Sequence, residues 1–185
     1  MAFSDNAFIL IIMFAFKYCA IILIAPSILG VANLAASEIN FVDAPIGTLP
    51  FVSIHESGHV TVAKSCGFSA VSAKVFLKSK SGVGTFWKGQ TSLGGGATGH
   101  GMALIKLGGR FAEQFLDQSN RIFKPSFLDV IGDRGAISQS DNLTQIDLGA
   151  YSLLDAQRRT YLILISRLSD LDRIYKTLYH RHSYP

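Results

Sequence analysis

The sequence predicts an α+β fold, a predominantly α-helical domain with a small β-hairpin over residues 41–185, preceded by an N-terminal transmembrane helix within residues 1–40. Three observations predict it. Residues 7–36 are thirty positions whose only charge is Lys17, long enough for a helix to cross a hydrocarbon core of about 30 Å. Residues 51–66 contain one breaker, Gly58, and are flanked by Pro50 and Gly67, which suit the start and the stop of a helix. Residues 69–77 alternate apolar and polar positions, the period of a strand with one face buried.

The chain is apolar for its 185 residues, 49% hydrophobic and 16% charged, and the excess lies at the N-terminus. Lys17 constrains how that segment sits, because a lysine near the middle of a span costs about 2.5–3.5 kcal/mol unless it snorkels or faces protein. Either the span begins near Tyr18 with residues 7–16 in the interface, or two copies pack around Lys17. A cleaved signal peptide is the alternative, but the first six residues carry Asp5 and no Lys or Arg, and no clean small-x-small site follows the apolar run. A single-pass membrane protein in contact with lipid is therefore expected. With only Cys19 and Cys66 there is no disulfide framework, which favours the cytoplasmic side for the domain.

Charge is uneven: residues 1–50 balance to −2 and the remainder to +6. Arg158, Arg159, Arg167, Arg173, Lys176 and Arg181 face only Asp170 and Asp172 in the last 28 residues, the pattern of a solvated helix face or of a surface for anionic headgroups. No aromatic interleaving or fold signature accompanies it, so nucleic acid is not an expected partner.

The first helix, expected over residues 50–66, carries His55-Glu56-Ser57-Gly58-His59, an H-E-x-x-H sequence. Histidines four apart stand one above the other on a helix, so both imidazoles reach one Zn2+ at about 2.0–2.1 Å with Glu56 beside the open position. Such a centre acidifies a water and polarises a carbonyl, and Glu56 takes the proton and passes it to the leaving amine. The domain is thus expected to be a zincin-like peptidase acting on polypeptides. Gly58 costs up to about 1 kcal/mol of helix propensity, which implies close approach of another backbone.

After Gly67, the strand at 69–77, a turn at 79–82 and a strand at 83–87 make the hairpin, whose exposed edge suits an extended peptide held by main-chain hydrogen bonds. Phe86 and Trp87 are expected either as sheet core or as walls of side-chain pockets. Residues 91–101 hold five glycines and His100 and read as a loop without the Lys-Ser/Thr ending of a phosphate loop. A second helix follows at 102–116 with the pair Gly108-Gly109, then a turn-rich connection at 117–140, then helices at 141–155 and 158–180. A catalytic zinc needs a third protein ligand, and His59 is not followed by the x-x-G-x-x-H extension that supplies it in one class of zinc peptidase.

Four blocks, taken in order, carry a resemblance. They are Ile54 to His59 with Val62-Ala63, Gly84-Thr85-Phe86, Leu107-Gly108-Gly109-Arg110-Phe111-Ala112-Glu113, and Ser140-Asp141-Asn142-Leu143. Over residues 48–155 the chain resembles the peptidase part of the FtsH-type membrane ATP-dependent zinc metalloproteases. The resemblance implies His55, His59 and Asp141 as zinc ligands, Glu56 as general base, and Glu113 as a carboxylate that orients a histidine by hydrogen bond. Asp141 has a rival reading as an ordinary helix cap, with Asp147 as the substitute ligand. The family also implies a homo-oligomeric ring. Its ATPase module has no counterpart between the apolar segment and the peptidase-like region, so ATP dependence is expected only through an ATPase partner. The chain departs from the family pattern at Gln114, where a second glutamate is usual, and in the extra residue Asn142. A catalytically silent, membrane-anchored interaction protein that partners a full-length relative is the competing expectation.

Overall fold

The structure, a computed structural model, describes residues 39–41, 47–94, 99–132 and 143–185. The apolar segment at 7–36, with Lys17 and Cys19, lies outside the described residues, as do Asp141 and the side chain of His100. Among the described residues no helix is long and apolar enough to cross a membrane. The fold is mixed α and β. Strand β1 (Ile39–Phe41) is followed by α1 (Leu49–Ser65), β2 (Ala70–Lys80), β3 (Gly84–Gly94), α2 (Gly99–Glu113), α3 (Phe127–Gly132), α4 (Gln145–Leu148), α5 (Leu153–Ser166), α6 (Leu168–Arg181) and β4 (Ser183–Tyr184).

Helix α1 is the centre around which the rest is arranged. Pro50 lies in its first turn, where a missing N–H costs nothing. It ends in a Schellman motif: Phe68 N–H donates to the Ala63 carbonyl and Gly67 N–H to that of Lys64, each at 3.1 Å, with Gly67 at φ +89°, a conformation that favours glycine. Every residue from Val52 to Ala63 is buried, because α2, α5, α6 and the β2–β3 hairpin close on it from different sides. The surrounding core includes Ile54, Val62, Phe111, Phe115, Leu164, Leu171, Ile174 and Leu178.

The backbone approach implied by Gly58 is made by Gly108. A Cβ on Gly58 would run into the Gly108 carbonyl oxygen and the Ala112 methyl, and a Cβ on Gly108 would lie 2.9 Å from the Gly58 oxygen. Two facing glycines thus let α1 and α2 approach main chain to main chain, which any side chain at either position would prevent. This contact sets the site described below.

The sheet is antiparallel, in the order β1-β3-β2-β4. Its inner face presents Val71, Ala73 and Val75 opposite Leu93, Thr91 and Gly89. The hairpin is longer than the expected 69–77 and 83–87, since Thr91 to Gly94, read as loop for their glycines, complete β3. Gly99 to Gly101, read as loop for the same reason, open α2. The hairpin edge expected to be open is partly covered: β1 pairs with β3 at Thr91 to Leu93, Gly47 bridges to Trp87, and β4 pairs with β2 at Ala73 and Lys74. Phe86 is buried, and Trp87 is half-buried with its ring centroid 5.0 Å from that of His182.

Two helix expectations need correction. Residues 141–155 do not form one helix. Thr144 caps the short α4 in a reciprocal box with Asp147, Gly149 ends it at φ +56°, and Ser152 caps α5 afresh by accepting from Asp155 N–H. The helix expected over 158–180 is broken at Arg167 (φ −117°, ψ 27°) into α5 and α6. No glycine or proline marks that break. Asp170 sits instead in the first turn of α6, where a carboxylate meets the positive end of the helix dipole.

Asp147 also accepts from Lys106 Nζ at 2.9 Å. Burial opposes ionisation of Asp147, but the hydrogen bonds from Lys106 and Thr144 outweigh it and hold the carboxyl below its ordinary 3.8. A carboxyl whose folded pKa is depressed stabilises the fold fully above its unfolded value and loses that contribution as pH falls through the folded one. Asp147→Asn is therefore expected to cost about 0.5–1.5 kcal/mol at neutral pH. The difference in Tm from the parent should shrink as the pH drops below 3.8, which thermal melts across acid pH measure.

Candidate metal centre

On α1 the four-residue spacing stacks His55 and His59, and their Nε2 atoms lie 3.0 Å apart with the rings nearly perpendicular. Both side chains are buried. What orients them comes from α2. His55 Nδ1 is 2.6 Å from Glu113 Oε1, and His59 Nδ1 is 2.7 Å from the carbonyl oxygen of Ile105. Ile105, Gly109 and Glu113 follow one another at four-residue intervals, so they form one stripe on α2, and the Gly58–Gly108 contact holds that stripe against the histidines.

These partners fix the tautomers. A carboxylate and a peptide carbonyl accept and do not donate, so each Nδ1 carries the proton and each neutral ring turns its Nε2 lone pair towards the other. Two lone pairs at 3.0 Å repel unless a cation lies between them, either a proton or a metal ion. A tetrahedral zinc at about 2.0–2.1 Å from each nitrogen spaces the pair by about 3.3 Å, close to the observed separation. The donor set also fits, since a ligating histidine characteristically donates its other N–H to a carboxylate or a backbone carbonyl.

Gly109 of α2 packs directly against both Nε2 atoms. A Cβ there would lie 2.5 Å from His59 Nε2 and 2.8 Å from His55 Nε2. Its φ is not in the positive region, so glycine is required at 109 for room and not for backbone conformation.

Glu56, which follows His55 on α1, is buried and accepts a hydrogen bond from Thr91 Oγ1 of β3 at 2.5 Å. Gly89 on the same strand makes its position available, because a Cβ at 89 would overlap the Glu56 carboxyl. Glu113 carries a second load: its Oε2 accepts from Arg110 Nη1, so both carboxylate oxygens are engaged and the side chain is fixed against the His55 ring. Among the described residues no three His, Cys, Asp or Glu side chains converge as a metal-binding group. Asp147 is engaged by Thr144 and Lys106 and does not join the pair.

The structure thus brings His55 and His59 together with Glu113 of α2, while Glu56, on the same helix, meets Thr91 and Gly89 of β3. Sequence reasoning missed Thr91, Gly89, Gly109 and the Ile105 carbonyl. One signal was available, the stripe Ile105, Gly109, Glu113, whose central residue has no side chain where a helix facing two histidines needs room. Comparison with known protein families, with curated proteins and with solved structures finds no match.

If Glu113 orients His55, Glu113→Gln is expected to weaken zinc binding by about 10–100-fold while the fold persists. Competition for zinc against a chromophoric chelator, alongside a circular dichroism spectrum, checks it.

Proposed function

We propose that this chain is a zinc-dependent metalloendopeptidase that hydrolyses peptide bonds of unfolded or membrane-proximal polypeptides. In this reading the zincin-like peptidase domain of residues 41–185 is anchored by a single membrane span within residues 7–36 and lies on the cytoplasmic side. It acts as a homo-oligomer, and ATP enters only through an ATPase partner. The observation that carries the reading is the pair of Nε2 atoms at 3.0 Å, each ring held through Nδ1 by an acceptor, beside a buried carboxylate.

His55 and His59 would hold the metal, and the resemblance offers Asp141 as the third ligand. Zinc bound there supplies Lewis-acid chemistry towards a water and a peptide carbonyl. The chain does the rest. Glu113 and the Ile105 carbonyl keep both Nε2 lone pairs turned inward at no reorganisation cost when the ion enters. Thr91 holds Glu56 through Oε2, and the Glu56 carboxylate is the group that would take the proton from water and return it to the departing amine. Burial of Glu56 keeps bulk water from competing for that proton.

The full chain, purified and dialysed against buffer with trace zinc, is expected to hold about one zinc per chain and to cleave casein, with His59→Ala losing the metal and the cleavage together. One zinc per chain without hydrolysis is the result expected of a catalytically silent partner protein. No zinc in either form contradicts both.

A further inference from the structure

The β2–β3 hairpin outruns the helices that cover its base. Val71, Ala73 and Val75 are buried, but one step further along the same face Leu77 is 57% exposed, and Val83 in the turn is 54% exposed. On the opposite face Phe76 is 37% exposed. Lys74, Lys78 and Lys80, all exposed, lie on the same face of β2 as Phe76. None of the three pairs with a carboxylate among the described residues. The Lys74 ammonium lies 5.9 Å from the centroid of the Phe76 ring. The charge has no local counterweight in sequence either: residues 57–112 hold six lysines and one arginine and neither Asp nor Glu.

Single exposed apolar residues are ordinary. Three towards the free end of one hairpin, with three lysines along one of its faces, are a different arrangement. Aliphatic side chains enter the boundary between headgroups and acyl chains, while lysines beside them extend their stems along the apolar surface and keep their ammonium groups at the phosphates. Nucleic acid would meet the lysines equally well, but of the three apolar side chains only Phe76 offers a ring on which a base can stack, whereas all three suit the interfacial layer of a bilayer. We propose that the tip of the β2–β3 hairpin docks on an anionic lipid surface, with Phe76, Leu77 and Val83 in the interfacial layer and Lys74, Lys78 and Lys80 on lipid phosphates. This rests neither on the hydrolytic reading nor on residues 7–36, and each lysine contributes about fivefold to the docking equilibrium.

The test moves the one tryptophan of the chain to the turn. Full-length Trp87→Phe/Val83→Trp is reconstituted in phosphatidylcholine vesicles, and in vesicles of equal parts phosphatidylcholine and phosphatidylglycerol, each with and without brominated acyl chains. Whatever residues 7–36 do is common to both, so only the tip reports. The expected result is a blue-shifted emission quenched by bromine in the anionic vesicles alone, reversed by high salt. Adding Lys78→Gln/Lys80→Gln should lower the ratio of docked to undocked tip by about 25-fold without changing the thermal melt. Equal quenching in both vesicle types, no quenching in either, or quenching indifferent to the two lysines overturns the proposal. So does a tip tryptophan that responds to an oligonucleotide and not to lipid.

Discussion

Replacing Glu56 by glutamine is expected to leave a folded protein that holds zinc like its parent and cleaves casein slower by about 10²–10⁴-fold. The substitution is nearly isosteric, so the hydrogen bond from Thr91 Oγ1 still finds an amide oxygen, and the room made by Gly89 is filled as before. What is lost is the negative oxygen that takes a proton. Metal content and turnover measured on one preparation separate this from unfolding, which would lower both. Cleavage at the parental rate would mean that the proton leaves by another route and that Glu56 is a buried carboxylate without catalytic work.

The second large effect is expected at a residue with no functional group. Gly109→Ala places a methyl 2.5 Å from His59 Nε2 and 2.8 Å from His55 Nε2, less than contact distance to either, in the space where an ion bridging both must lie. The rings have little freedom to retreat, because Glu113 and the Ile105 carbonyl hold the opposite nitrogens. Zinc binding should fall below detection in the dialysed protein, and casein cleavage with it. In a helix interior alanine is favoured over glycine by about 1 kcal/mol, which offsets part of the strain of displacing the two rings, so the protein is expected to fold with a lowered Tm. A parental circular dichroism spectrum and a cooperative melt, with the metal gone, distinguish an excluded ion from an unfolded chain.

Much of α1 was legible in sequence because its signals are local. Pro50 and Gly67 mark its ends, the spacing of His55 and His59 fixes their common face, and Gly58 between them announces a backbone contact. The identity of that contact was not legible, since Gly108 is fifty residues away and only packing brings it to Gly58. The same holds for the tautomers, which depend on Glu113 and on a main-chain oxygen, Ile105, that no residue type encodes. Glycine misled where its role was room instead of flexibility: Gly89 and Gly94 stand inside β3 because Glu56 and Ala70 leave no space for a side chain, yet a glycine-rich run reads as loop. The break at Arg167 escaped for the opposite reason, that an apolar stripe through Leu164, Leu171 and Leu178 keeps its seven-residue period across it. Thr144 and Ser152, each with an aspartate three residues on, were readable as fresh helix starts.

Whether a metal ion, and not a shared proton, lies between the two Nε2 atoms is decided by an anomalous difference map at the zinc edge from crystals of the full chain grown with zinc. One peak about 2.0–2.1 Å from both His55 Nε2 and His59 Nε2, with a third protein ligand and one open position, is the predicted result. A map without density between the rings, in crystals whose histidines keep their 3.0 Å separation, would contradict it.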